Sequence, residues 1–163
     1  MAQKQNLEVK RKVIIDLDVI TIGTWDRSEN ADYSRKFMSK VENQEFYVIT
    51  PTSLLELVRK WEHQNLKIHI EEFYIKNSNE TVERVQIIKE ILSKGIDFEK
   101  IFQKFIKLGI KEEDITLILV SSLRSALLIT FNGTHLKNKE EEINGVLFEY
   151  SLKTIEIISP KQI

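Results

Sequence analysis

Four groups of oxygen-bearing side chains carry most of the chemistry this chain could do: Asp16 with Asp18, residues 50–56, Asp114, and Thr130 with Asn132. Carboxylates brought within a few ångströms of one another cannot all stay ionised, because each raises the pKa of its neighbours. A bound Mg²⁺ or Mn²⁺ supplies the missing positive charge, and hard carboxylate oxygens suit such ions. The same ions polarise a phosphate and activate water, the arrangement used in phosphodiester hydrolysis. Other chemistries have less to stand on. The chain has no cysteine, which excludes a thiol nucleophile, a disulfide scaffold and a zinc ribbon. Ser121 and Ser122 fall inside an apolar stretch without a base nearby. His63 and His69 lack metal-ligand spacing, and His135 reads as a structural hydrogen-bonding residue.

Bringing these groups together requires strands that end side by side. Residues 12–16 form an apolar run closed by an acid, as expected of a strand buried on both faces. Residues 46–49 form a second strand, running into Thr50-Pro51-Thr52-Ser53, where a hydroxyl and a proline announce a helix. Residues 127–130 and 155–158 supply two more strands. Helical spacing covers residues 28–41, 54–61, 82–92 and 98–106, and residues 66–77 fit a helix better than a strand. Residues 114–125 are apolar almost all round and predict a central helix. Strands separated by helices imply a mainly parallel sheet covered on both faces, a three-layer α/β/α domain. In such a sheet ligands gather beyond the carboxyl ends of the strands, where all four groups fall.

The composition agrees with one compact domain. The chain has 163 residues, 42% hydrophobic and 30% charged, with five glycines and two prolines. Its 24 basic and 25 acidic residues give a net charge of -1, which excludes binding nucleic acid by bulk charge alone. No apolar run approaches the roughly 20 residues of a membrane span, so the cytoplasm is the expected compartment. Lys4, Lys10, Arg11 and Lys12 face only Glu8 in the first twelve residues. Residues 1–11 are expected to form a flexible basic N-terminus and residues 12–163 a single domain.

The ordered motifs resemble a known family. Val13-Ile14-Ile15-Asp16-Leu17-Asp18-Val19-Ile20 is similar to the opening strand of PIN-domain ribonucleases, which ends in Asp-Thr-Asn or a variant. Ser53-Leu54-Leu55-Glu56-Leu57-Val58 resembles their second motif, and Asp114, sixteen residues before Thr130, their third acidic position. Leu128-Ile129-Thr130-Phe131-Asn132 and the following Gly133-Thr134-His135-Leu136 look like the segment that usually reads Thr-x-Asp or Thr-x-Asn. Residues 155–160 resemble the closing strand and its proline, so the likeness spans residues 12 to 161.

This resemblance implies Asp16, Glu56 and Asp114 as the catalytic carboxylates that hold Mg²⁺ or Mn²⁺, supported by Asp18, Thr130 and Asn132. It implies an RNA substrate, single-stranded or structured, whose phosphates Arg59, Lys60, Arg124 and Lys137 could contact. Toxin members of the family, the VapC-like proteins, dimerise and pair with a small antitoxin, which makes a homodimer and such a partner expectations here too. Two positions depart from the pattern. Asp18 stands where Asn is more usual, and Asn132 where many members have a fourth acid.

The departure at Asn132 favours a second reading, a catalytically weak module that binds RNA or protein. A third is a haloacid-dehalogenase-type phosphatase, whose first motif Asp16-Leu17-Asp18 imitates. That motif wants Thr or Val at its fifth position, where this chain has Ile20, and the glycine-flanked downstream acidic pair is missing.

Overall fold

The computed structural model describes residues 9–163. In chain order the elements are β1 (Arg11–Ile15), α1 (Leu17–Trp25), α2 (Glu29–Glu42), β2 (Phe46–Pro51), α3 (Thr52–Arg59), α4 (Gln64–Asn77), β3 (Glu80–Val82), α5 (Arg84–Ser93), α6 (Phe98–Lys107), α7 (Glu112–Arg124), β4 (Leu127–Ile129), α8 (Glu140–Glu149) and β5 (Ile157–Ile158). Short 3-10 turns occupy Lys137–Lys139 and Pro160–Gln162. Most of the expected basic N-terminus lies outside the described residues, and Arg11 itself opens β1. Among the described residues no helix is long and apolar enough to cross a membrane.

All strand pairings are parallel and the order is β3-β2-β1-β4-β5, so the expected three-layer α/β/α architecture is the one observed. Val13, Ile14 and Ile15 are fully buried in the central strand, as their unbroken apolar run requires. The chain steps outward from β1 through β2 to β3, then crosses back to place β4 on the other side of β1. That reversal opens a crevice between the carboxyl ends of β1 and β4. Helices α1 to α4 pack mainly on one another, and α7 lies against β1, β2 and β4 with α5 and α6 beside it.

Gly23 shows how closely α1 and α2 approach. A Cβ there would lie 2.7 Å from the Met38 sulfur and 3.0 Å from the Ser34 Cβ. Arg35 ties the same junction by donating to the carbonyls of Gly23 and Asp26.

Several expectations need correction. Val82 belongs to β3, too short for its alternation to be read, and not to the helix that follows. In α5 the buried stripe is Ile87 and Ile91, whereas Val85 and Leu92 are 58% and 55% exposed. Asp16 both closes β1 and caps α1, a helix that the strand-like run of residues 12–16 does not announce. Pro51 occupies the N-cap of α3 and has no side-chain acceptor to cap it, while the Thr50 hydroxyl before it pairs with Ser78. Glu140 opens α8 and also accepts from the Ile157 amide at 2.6 Å, which fixes β5.

Tyr74 of α4 is buried and its hydroxyl donates to the Ile15 carbonyl at 2.6 Å. This bond fastens the helical layer to the carboxyl end of β1. Tyr74→Phe should lower unfolding free energy by about 1–3 kcal/mol in urea titrations, since it strands a buried acceptor. A change near zero would mean that the bond does not hold α4 in place.

Candidate functional site

The Asp16 amide donates to the Ile129 carbonyl at 2.9 Å, carrying the β1–β4 pairing one residue past the strand. Both oxygens of Asp16 are engaged. Oδ1 accepts from the Leu17 amide at 2.8 Å, capping α1, and Oδ2 accepts from the Thr130 hydroxyl at 2.8 Å. Asp18, two residues further on in the first turn of α1, turns its Oδ2 to the same hydroxyl at 3.2 Å and to the Phe131 amide at 3.1 Å. Thr130 thus stands between two carboxylates with a single proton to give, while accepting from the Asn132 amide at 3.0 Å. The other oxygen of Asp18, Oδ1, is buried without a hydrogen-bond partner.

Asp114 joins this pair electrostatically from the first turn of α7, where it is 9% exposed behind Glu112 and Glu113. Burial and the charges of Asp16 and Glu113 push its pKa up to about 6, with Lys111 opposing. Burial and the charge of Asp16 raise Asp18 to about 7, against the bonds from Phe131 and Thr130. Asp16 itself is pushed up by burial, with its bonds to Thr130 and Leu17 opposing. The Tyr74 phenol beneath them is held protonated, by burial first and by the two aspartates second. Asp16 thus disfavours the ionisation of both Asp18 and Asp114, the kind of perturbation that makes a cluster at a sheet switch point a candidate site.

Glu56 is exposed on α3 and lines an open cleft of about 660 Å³, together with Ser53, Arg59, Lys60, Arg84 and Glu113. Arg84 bridges to Glu112 at 2.8 Å across that cleft. Among the described residues no three acidic or histidine side chains are gathered into a group that could hold a metal ion. The donor chemistry of Asp16, Asp18 and Asp114 nonetheless fits a hard divalent cation. The three supply only oxygens, they carry mutually unfavourable charge, and the buried Asp18 Oδ1 lacks any partner.

The remaining sequence candidates divide. Asn132 shapes the turn after β4, its Oδ1 accepting from the His135 amide at 3.0 Å. The His135 residue is exposed, and His63 caps α4 and packs edge-on against Trp25. Arg59 and Lys60 reach the cleft, Arg59 half-exposed while paired with Glu71 at 2.9 Å, but Arg124 does not offer a free cation. Only 14% of its side chain is exposed, and it is clamped by Glu80 and Glu90 at 2.9 Å each. Lys137 is likewise engaged, with Glu140 and the Ile157 carbonyl. Tyr74, Glu113 and Arg84 escaped the sequence reading because each gains its place from neighbours distant in the chain.

These features define an α/β/α domain with a coupled acidic centre at the switch point of a parallel sheet and a mixed-charge cleft alongside. No family model and no curated protein matches the chain. Among solved structures, VapBC2 from Rickettsia felis bound to a DNA fragment from their promoter is similar at a TM-score of 0.47 and 9% identity, over 91% of this chain and 98% of that one.

Proposed function

We propose that this protein is a PIN-type endoribonuclease that hydrolyses RNA phosphodiester bonds with Mg²⁺ or Mn²⁺. The observation that carries the proposal is the meeting of Asp16 and Asp18 on the Thr130 hydroxyl at the crevice between β1 and β4, with buried Asp114 feeling the charge of Asp16. Asp16 and Asp114 would hold the cation, with the unpartnered Asp18 Oδ1 beside them and Glu56 joining from the cleft wall. When bound, the ion polarises the phosphate and lowers the pKa of its water. Thr130 keeps Asp16 and Asp18 facing each other, and the amides of Leu17 and Phe131 fix one oxygen of each. Arg59, Lys60 and Arg84 on the cleft wall can take the phosphates that flank the scissile bond. The family resemblance also supports a homodimer, an antitoxin-like partner and a cytoplasmic setting.

The test is cleavage of a mixed-sequence single-stranded RNA by the purified protein in Mn²⁺ or Mg²⁺, with chelator and Asp114→Asn as controls. Wild-type protein should cut, chelation should stop it, and Asp114→Asn should lower the rate by about 100-fold or more. Cutting that persists in Asp114→Asn would dismiss the assigned centre.

A non-catalytic binding module is the second reading, and Asn132 favours it. Its side-chain oxygen is spent on the turn, where a fourth acid would have added charge to the centre. Retained RNA binding without any metal-dependent cutting would select this reading. The phosphatase reading is weaker, because Ile20 stands where its motif wants Thr or Val and its glycine-flanked downstream acidic pair is missing.

A further inference from the structure

A second hollow lies apart from the cleft, between α2 and the 3-10 turn that follows β5. It has a volume of about 410 Å³ and is lined by Tyr33, Lys36, Phe37, Lys40, Pro160 and Lys161, among others. Tyr33, Lys36 and Lys40 recur at helical spacing and share one side of α2, which puts the two lysines one turn apart. Lys161 approaches from the opposite wall, its ammonium 5.6 Å from the centre of the Tyr33 ring. None of the three lysines takes part in an ion pair among the described residues. The nearby acids of α2 are occupied elsewhere: Asp32 pairs with Arg35, and Glu29 accepts from the Tyr33 hydroxyl.

Among the described residues Lys36 and Lys40 have no ion pair beside this hollow, and Lys161 has only the Tyr33 ring. They repel one another, and an anion in the hollow relieves that repulsion. The rest of the lining narrows the choice of anion. Buried Phe37 and Pro160 give an apolar floor, and the Tyr33 ring gives a flat aromatic surface. A bare inorganic anion would use neither. A nucleic-acid strand uses both, with phosphates on the lysines and a base against the ring, the pairing of features found where single strands bind without sequence readout. Position agrees as well. Pro160 lies just beyond the carboxyl end of β5, on the same sheet edge as the acidic centre, and β5 is separated from β1 by β4 alone.

We propose that the hollow formed by Tyr33, Lys36, Lys40 and Lys161 is an anchoring site for single-stranded RNA, holding a stretch of the strand away from the acidic centre. The inference deepens the nuclease reading by giving the substrate a second point of attachment. It also stands independently, because binding here requires no metal.

The test is fluorescence anisotropy of a labelled 12-nucleotide oligouridylate in chelator, across a range of salt concentrations. The triple variant Lys36→Gln/Lys40→Gln/Lys161→Gln is compared with wild type and with Arg59→Gln/Lys60→Gln in the cleft. The triple variant should bind at least tenfold more weakly, and its log Kd against log salt should flatten by about 2, near 0.7 for each phosphate no longer neutralised. Tyr33→Leu, which keeps the lysines, should weaken binding several-fold by removing the stacking surface. Thermal melts of all variants show whether each remains folded. Affinity unchanged in a folded triple variant would overturn the proposal, as would complete displacement of the oligonucleotide by equimolar uridine monophosphate, which would mark a mononucleotide site. Failure of metal-dependent cleavage with this binding intact would remove the nuclease reading and leave the anchor standing. Cleavage with the anchor absent would do the reverse.

Discussion

Asp18→Asn should make the metal-free protein more stable at pH 8, by on the order of 1–3 kcal/mol, while weakening its response to Mn²⁺. The direction follows from proton linkage. Burial and the charge of Asp16 raise the Asp18 carboxyl from an ordinary 3.8 to about 7 in the folded state. Between these values the folded protein binds more protons than the unfolded chain, so its stability falls as pH rises. Asp114, raised to about 6, adds a decline of the same sign, and so does Asp16. An asparagine cannot ionise, yet its carbonyl can still accept from the Phe131 amide. The gain should therefore be present at pH 8 and nearly absent at pH 4, where Asp18 is already protonated. Urea unfolding in chelator at the two pH values measures it. Mn²⁺ added at pH 8 should raise the melting temperature of wild type more than that of the variant, because the ion supplies the charge the asparagine made unnecessary. A variant less stable than wild type at pH 8 would show that the Asp18 charge is compensated in the metal-free fold. Repulsion among these carboxylates costs stability in the metal-free fold, and a cation bound there would offset that cost.

How much of this was visible in the sequence depends on the range of the interactions involved. The central strands were legible because an unbroken run such as Val13-Ile14-Ile15 has few alternatives to a strand covered on both faces. The apolar circumference of residues 114–125 announced the central helix in the same way. Edges were less clear. Glu80–Val82 has three residues and one buried side chain, so its pairing with β2 leaves almost no periodic trace. Within the site, Asp16, Asp18 and Thr130 could be proposed together because each follows or borders a strand end on one edge. Their sharing of a single hydroxyl could not be foreseen, since it joins residues 112 and 114 positions apart. Glu56 was legible in part: its place early in α3 puts it at the same sheet edge, and its exposure on the cleft wall depends on neighbours from α5 and α7 that the sequence does not reveal. Arg124 misled for a similar reason: a basic residue in the last turn of a helix reads as solvated until two glutamates from other elements close over it.

Thr130→Val should damage the centre more than its near-identical shape suggests. The hydroxyl gives its proton to Asp16 and Asp18 and accepts from the Asn132 amide, so valine removes one donor and one acceptor together. Stranding these partners should cost about 1–3 kcal/mol of stability. The cost should be greater at pH 8 than at pH 4. The missing bond favoured the ionised carboxylates, so without it the folded-state pKa values rise further and the decline of stability with pH steepens. Cation affinity should fall as well, by about 10–100-fold in the Mn²⁺ concentration needed for stabilisation or for cutting, because groups that orient ligands contribute on that scale. Thr130→Ser, which keeps the hydroxyl, should recover most of both losses. Titrating Mn²⁺ against melting temperature and against RNA cleavage in the three proteins separates the possibilities. If valine matched wild type in Mn²⁺ response, Thr130 would be a former of the turn after β4 and nothing more. A loss in valine restored by serine would locate the organising element of the site in one hydroxyl group, held at the end of β4 where the two directions of the sheet diverge.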